Sequence, residues 1–220
     1  MFLQQRTIPL FASIKKIVES GELGQLRRSN WILNIYWRPD RYYASAAWRG
    51  TWSGEGGGVL FNQCPHQLDL LSWITGMMPK RVRTFCHFGK WHDIEVEDDV
   101  TTILEFPNGA TGTFVTTTGE WPGANRLEIS LDKGKILVEN GKIFLHELEV
   151  TEQEFTATNT IPFNQPKYTL TEVETDDPES YVKEFLQGKA VEISTEHGPN
   201  GQVTVHAVCD GLIQKFIFTP

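Results

Sequence analysis

The chain is poor in the features that would place it quickly. It has three cysteines in 220 residues (Cys64, Cys86 and Cys209), and no two of them form a C-x-x-C pair. That argues against a disulfide framework or a structural zinc site and fits a reducing, cytoplasmic setting. No apolar run approaches the roughly 18–20 residues of a membrane span, so no membrane partner is expected. Met1–Leu10 holds one basic residue, Arg6, and no apolar core, and does not read as a signal peptide. Positive charge is scarce as well. A net charge of -8 and a pI near 5.3 argue against a nucleic-acid surface, which needs a basic stripe. No phosphate-cradling Gly-x-Gly-x-x-Gly loop, no His-Glu-x-x-His pattern and no internal repeat occurs.

What is present centres on Gly54-Glu55-Gly56-Gly57-Gly58, which leads through Asn62 and His66 into an apolar helix ending at Gly76. Glycines let backbone approach backbone or ligand closely. A histidine just past such a loop can move a proton for a bound substrate. The preceding segment, Arg38 to Glu55, is aromatic and basic without a clean period: Arg38, Tyr42, Tyr43, Trp48, Arg49, Trp52. Loops of that content line sites. The early arginines (Arg27, Arg28, Arg38, Arg41, Arg49) leave room for a local anion site in an otherwise acidic chain.

The rest of the pattern describes one large domain or two small ones, with length for a real core. A helix is expected from Thr7 as N-cap through Pro9 to Gly21, with Ile8, Phe11, Ile14, Ile17 and Val18 inward. A strand over about Gln25–Trp37 has two apolar faces and reads as central and covered on both sides. The helix after the glycines is expected to turn Leu60, Cys64, Leu68 and Leu71 inward, with Pro65 in its first turn. Strands at Lys80–Gly89, Val100–Phe106, Ala110–Thr118, Leu127–Leu131, Lys135–Glu139 and Lys142–Glu149 are joined by turns such as Pro107-Asn108-Gly109 and Asn140-Gly141, giving an antiparallel meander. Residues 151 to 176 read as an irregular excursion. Helices follow from Asp177 to Gly188 and from about Asn200, the latter with Val205, Val208, Leu212 and Phe216 as its stripe. The sum is an α+β fold: a largely antiparallel open sheet with helices on one face, the other face covered by a second copy of the chain.

Plainer readings stand beside the functional ones. His66 and Asp69 lie three apart on a helix, but no compact ligand pattern joins them to His87, His92, Asp93 or His146, so no metal site is expected. Cys64 reads as a small buried hydrophobe. The acidic run Glu95–Asp99 reads as the solvated start of a strand.

Taken together, Gly-Gly-Gly-Val-Leu-Phe-Asn-Gln-Cys-Pro-His-Gln-Leu-Asp-Leu-Leu-Ser-Trp-Ile-Thr-Gly resembles the signature of the C-terminal domain of the glucose–fructose oxidoreductase/inositol dehydrogenase (Gfo/Idh/MocA) family. Leu10–Gly24 resembles that family's helix ending in Ser-Gly-x-Leu-Gly, and Glu97-Asp98-Asp99 to Gly112 resembles its hairpin. The likeness covers Gln5 to about Glu120 and weakens afterwards. It implies a substrate-binding and oligomerisation domain spanning 1–220, with 1–6 as the remnant of a crossover from a Rossmann domain that is absent here, hence a natural fragment, a truncated product or an excised piece. It further implies NAD or NADP as cofactor of the full-length parent and none on this chain, a homo-oligomer (dimer or tetramer), and a sugar, polyol or related hydroxylated substrate. His66 would match the catalytic histidine. Asn62 falls where many members have aspartate, so it can bind substrate but cannot stabilise an imidazolium by charge. Arg38, Tyr43, Trp48 and Arg49 would form the pocket wall. The alternatives are a non-catalytic assembly or binding module and an NAD-dependent glycosidase of the same family.

Overall fold

The computed structural model describes residues 4–175, 190–198, 202–209 and 212–218. A 3-10 turn over Gln4–Thr7 carries the chain into α1 (Pro9–Ser20). Thr7 belongs to that turn, so Ile8 rather than Thr7 is the N-cap, and Pro9 takes the first helical position, where its missing N–H leaves no bond unmade. Gly21 closes the helix at φ 74°, a left-handed conformation that favours glycine.

Eight strands form the main sheet: β1 (Leu26–Leu33), β2 (Arg81–Phe88), β3 (Glu97–Glu105), β4 (Thr111–Thr117), β5 (Asn125–Leu131), β6 (Gly134–Glu139), β7 (Lys142–Leu148) and β8 (Tyr168–Val173), in spatial order β2-β3-β4-β1-β5-β6-β7-β8. The expected hairpins are present, but the meander is interrupted. β1 inserts between β4 and β5, parallel to the first and antiparallel to the second. It is central, as its sequence implies, yet covered on one face only. Ser29, Trp31 and Leu33 are buried, whereas Arg28 and Ile32 are exposed and Asn30 is half-buried. The ladder also stops at Leu33 rather than Trp37.

The inner face holds the core. Trp31 sits between Phe11 and Phe114, each 6.1 Å away, and its indole N–H donates to Asn125 Oδ1 at 3.0 Å. The buried cluster continues through Ile14 of α1 and Leu70, Leu71 and Ile74 of α3 (Pro65–Thr75), and α1 packs on α3 over this face. The outer face is a lattice of register rows, one of which reads Arg83–Ile103–Thr113–Asn30–Glu128–Leu137–Phe144–Glu172 across all eight strands.

Three expectations are corrected. The 151–176 excursion contains α4 (Glu152–Thr158), capped by the Thr151 hydroxyl accepting from Glu154 N–H, and the eighth strand. The final helix is instead the hairpin β10 (Val203–Cys209) and β11 (Leu212–Phe218), which with β9 (Ala190–His197) makes a separate three-stranded antiparallel sheet. Val205 and Ala207 are buried there, a period-two pattern that β-branched residues favour. Leu68 is exposed, because the turn ahead of α3 is π-helical. Its Cys64 N–H bonds back five residues to Val59 O (3.1 Å), and across that wider turn Leu68 swings outward while Cys64 and Leu71 stay buried as expected. The helix expected over Asp177–Gly188 lies outside the described residues.

Candidate functional site

The glycine run is pinned by a carboxylate. Glu97 is buried, and its two oxygens accept the N–H groups of Gly58 (2.9 Å) and Leu60 (3.2 Å). A Cβ on Gly58 would collide with the Glu97 backbone carbonyl, so only glycine fits at that crossing. Asp98, wholly buried, accepts from the backbone N–H groups of Lys90, Trp91 and His92. The acidic run is therefore no solvated stretch at these two positions. Two adjacent carboxylates point inward because loops from elsewhere in the chain offer them unpaired amide hydrogens. Asp99 accepts from the indole of Trp91 and the ammonium of Lys90 (both 2.9 Å). Burial pushes its carboxyl up, but these hydrogen bonds and the Lys90 charge prevail and hold it below the usual carboxylate range.

From that anchor the π turn (Val59–Gln63) and α3 project the candidate residues. His66 is the second residue of α3, half-buried, with Nδ1 turned into the protein. Asn62 lies on the exposed side of the π turn, one helical turn earlier. Its amide donates to Glu55 Oε1, and its Oδ1 accepts from Gln63 Nε2 at 2.9 Å. Gln63 Oε1 in turn accepts from Arg38 Nη2 at 2.7 Å, and Glu55 Oε2 accepts from Gly50 N–H at 2.7 Å. A single hydrogen-bonded chain thus links Arg38, Gln63, Asn62 and Glu55. Gln63 and Glu55 carry no signal of their own in the sequence beyond adjoining Asn62 and the glycine run.

Arg38 and Arg49 converge on one ring. The guanidinium of Arg49 lies 4.2 Å from the Tyr42 ring centre and 4.4 Å from that of Trp48, and that of Arg38 lies 5.1 Å from Tyr42. Arg49 Nη1 also donates to the Tyr42 hydroxyl (2.5 Å). Tyr42, at the end of the short α2 (Asp40–Tyr43), is the organising residue of this array. Tyr43 faces elsewhere. Its hydroxyl donates to Thr118 Oγ1 (3.1 Å) and its ring stacks 4.8 Å from that of His92, with burial pushing the phenol up. Tyr36, beneath Arg38, is pushed up to about 12 by burial and stays a neutral donor. Cys64 is likewise buried, bonded to Thr116 Oγ1 (3.4 Å) and pushed up to about 12.

Asp69 is engaged by Arg6 at 2.5 and 2.7 Å rather than facing His66. Among the described residues no three His, Cys, Asp or Glu side chains gather where they could hold a metal. The glycine loop does not suit a dinucleotide diphosphate either, since the Glu97 carboxylate already occupies the Gly58 and Leu60 amides that an anion would need.

An open, mostly antiparallel sheet with its helices on one face, and a histidine at the start of one of them, define an α+β fold of a recognisable class. The chain belongs to the GFO/IDH/MocA family, whose C-terminal domain matches residues 11–137. Among solved structures it is similar to the WlbA dehydrogenase of Chromobacterium violaceum in complex with NADH and UDP-GlcNAcA. The two are 30% identical over 64% of this chain and 41% of that one, with a TM-score of 0.57. The WlbA dehydrogenase of Bordetella pertussis, solved with the same ligands, shows the same identity and TM-score over 64% of this chain and 44% of its own. Levoglucosan dehydrogenase in complex with NADH and L-sorbose shares the fold at 18% identity and a TM-score of 0.57, over 78% of this chain and 46% of its own. This chain spans less than half the length of these relatives. No curated protein matches it.

Proposed function

We propose that this chain is the substrate-binding and oligomerisation half of a cytoplasmic NAD(P)-dependent oxidoreductase acting on a sugar, polyol or related hydroxylated molecule. The observation that carries the reading is the placement of Asn62 and His66 one turn apart at the start of a helix whose approach is locked by Glu97, in a chain 30% identical to dehydrogenases solved with NADH and a nucleotide sugar. In this role the imidazole of His66 accepts the proton of a substrate hydroxyl. Asn62 contacts substrate once it releases Glu55, and Arg38, Trp48 and Arg49 wall the pocket around Tyr42, whereas Tyr43, turned toward Thr118 and His92, stands behind it. The dinucleotide is held by another lobe, so the chain alone binds substrate without turning it over.

The outer sheet face supports the second half of the reading. Phe85, Ile103 and Ile32 are 67%, 42% and 39% exposed on it, spread among charged neighbours, and a sister chain placed there covers them. Light scattering is expected to give a dimer or tetramer at micromolar concentration, and a clean monomer refutes that assignment. The catalytic part is tested by following nicotinamide absorbance with a panel of hydroxylated substrates, with and without a cofactor-binding lobe of the family. Turnover is expected only with the lobe present, and His66→Asn should lower it about 100-fold or more. An unchanged rate in that variant overturns the role of His66.

A further inference from the structure

Arg38 and Arg49 are the half-buried arginines of this acidic chain that lack a carboxylate partner among the described residues; Arg28, Arg41 and Arg83 lack one too, but they stand exposed to solvent. Arg6, Arg27, Arg81 and Arg126 each meet a carboxylate at 2.5–3.0 Å. Arg38 and Arg49 meet none among the described residues, although the sequence holds 28 acidic side chains against 20 basic ones. The nearby carboxylates are engaged: Glu55 by Gly50 and Asn62, Asp40 by His92. Both guanidiniums are held against aromatic faces, which fixes the cations; Arg38 gives one N–H to Trp37 O and one to Gln63 Oε1, Arg49 gives one to the Tyr42 hydroxyl, and their remaining terminal N–H groups meet no acceptor among the described residues. On each arginine the Nε–H is buried and lacks a hydrogen-bond acceptor. Buried donors are nearly always satisfied, and two like charges flanking one tyrosine with N–H groups left over suit a partner of negative charge.

We infer that Arg38 and Arg49 clamp the acidic group of the substrate across Tyr42, so that the hydroxylated molecule turned over here carries an oxyanion. This rests on the substrate-domain reading above and narrows it. Arg38 bonds Gln63, and Gln63 bonds Asn62, so seating the oxyanion also sets the side chain one helical turn ahead of His66. A neutral polyol offers the clamp nothing that its stacked geometry prefers over water. The oxyanion can be the carboxylate of a sugar acid or the diphosphate of a nucleotide sugar, since both accept paired N–H bonds.

The test is a calorimetric titration of the 220-residue protein, at low and moderate salt, with glucuronate, uridine diphosphate and glucose. At least one of the two acids is expected to bind, glucose not to bind in the same range, and affinity to fall as salt rises. The tighter acid identifies the group recognised. Arg49→Gln and Arg38→Gln should each weaken binding about 10-fold or more, whereas Arg83→Gln on the outer sheet face should leave it unchanged. Arg49→Lys keeps the charge and much of the stem, so it reads out the loss of the planar fork even if the glutamine variants fold poorly, and it too should bind several-fold more weakly. Binding of neither acid, equal binding of glucose, or full affinity in the arginine variants overturns the clamp. No turnover enters this measurement. A failed titration leaves the His66 assignment standing, and a failed dehydrogenase assay leaves the clamp standing.

Discussion

Replacing Glu97 should loosen the site from underneath. Its carboxylate accepts two backbone N–H groups from the glycine loop in a setting only 6% exposed. Glu97→Gln preserves the shape but not the pairing. The amide oxygen can serve one N–H, while the amide NH2 confronts the other, donor against donor. The loss is one charge-assisted bond, about 1.5–3 kcal/mol. Glu97→Ala removes both acceptors and leaves a void, for about 3–5 kcal/mol, a large share of the roughly 5–15 kcal/mol by which a domain is stable. At about 2–4 °C per kcal/mol for a chain of this size, the glutamine variant should melt about 3–12 °C lower, and the alanine variant lower still. Hydrogen exchange localises the effect: the Gly58 and Leu60 amides should lose protection before the sheet does. A glutamine variant melting within about 2 °C of the parent, with both amides as protected as before, would refute the claim that this carboxylate anchors the loop.

Trp31→Ala should cost about 3–5 kcal/mol in a urea titration, because the ring is 1% exposed between Phe11 and Phe114; a loss under about 1 kcal/mol contradicts that packing. In a thiol-labelling experiment read by peptide mass, Cys86 should react first and Cys64 only on unfolding, since burial holds the Cys64 thiol up at about 12; equal rates count against it. The Glu128 carboxyl is held down by hydrogen bonds from Arg126 and by Lys135, and Asp99 is held down by Trp91 and Lys90 despite its burial. A folded-state value below the unfolded one gives stability that is full above the ordinary carboxylate range and is lost as pH falls through the folded value. The melting temperature should thus drop between about pH 5 and about pH 2, and less steeply in Glu128→Gln; identical acid limbs for the two proteins would speak against the pairing.

Local chemistry was legible in the sequence wherever one segment carried it. Gly21 and Gly76 stop their helices in left-handed conformations, and Asn140-Gly141, at φ 53° and 72°, makes its hairpin. The misses have separate physical causes. Glu97 and Asp98 look like solvated acids until the amides of residues 58–60 and 90–92 are brought to them. β1 looks like a strand with two buried faces when Ile32 and Tyr36 are weighed, but over residues 26–33 its outward positions are Arg28, Asn30 and Ile32, and the first two already mark the open face. Leu68 turns outward beside a single wide turn while Cys64 and Leu71 stay buried, a local effect that side-chain spacing cannot register. At the C-terminal end, Val205, Val208, Leu212 and Phe216 fit a helical stripe, but Val203, Val205 and Ala207 also alternate, and over so short a run the two periods compete. Of the candidate site, Asn62, His66, Arg38 and Arg49 were visible as residue types. Gln63 and Tyr42, which tie them together, gain their meaning only from the contacts they make.

The insertion of β1 between β4 and β5 has a consequence for biosynthesis. Its bonds to those neighbours join residues 83 and 94 positions apart, Leu33 with Thr116 and Trp31 with Asn125. A ribosome adding about 5–20 residues per second exposes this apolar segment for roughly 5–20 s before either flank exists. The nascent chain must therefore shelter Trp31 and Leu33 in provisional company until β4 and β5 emerge to close over them.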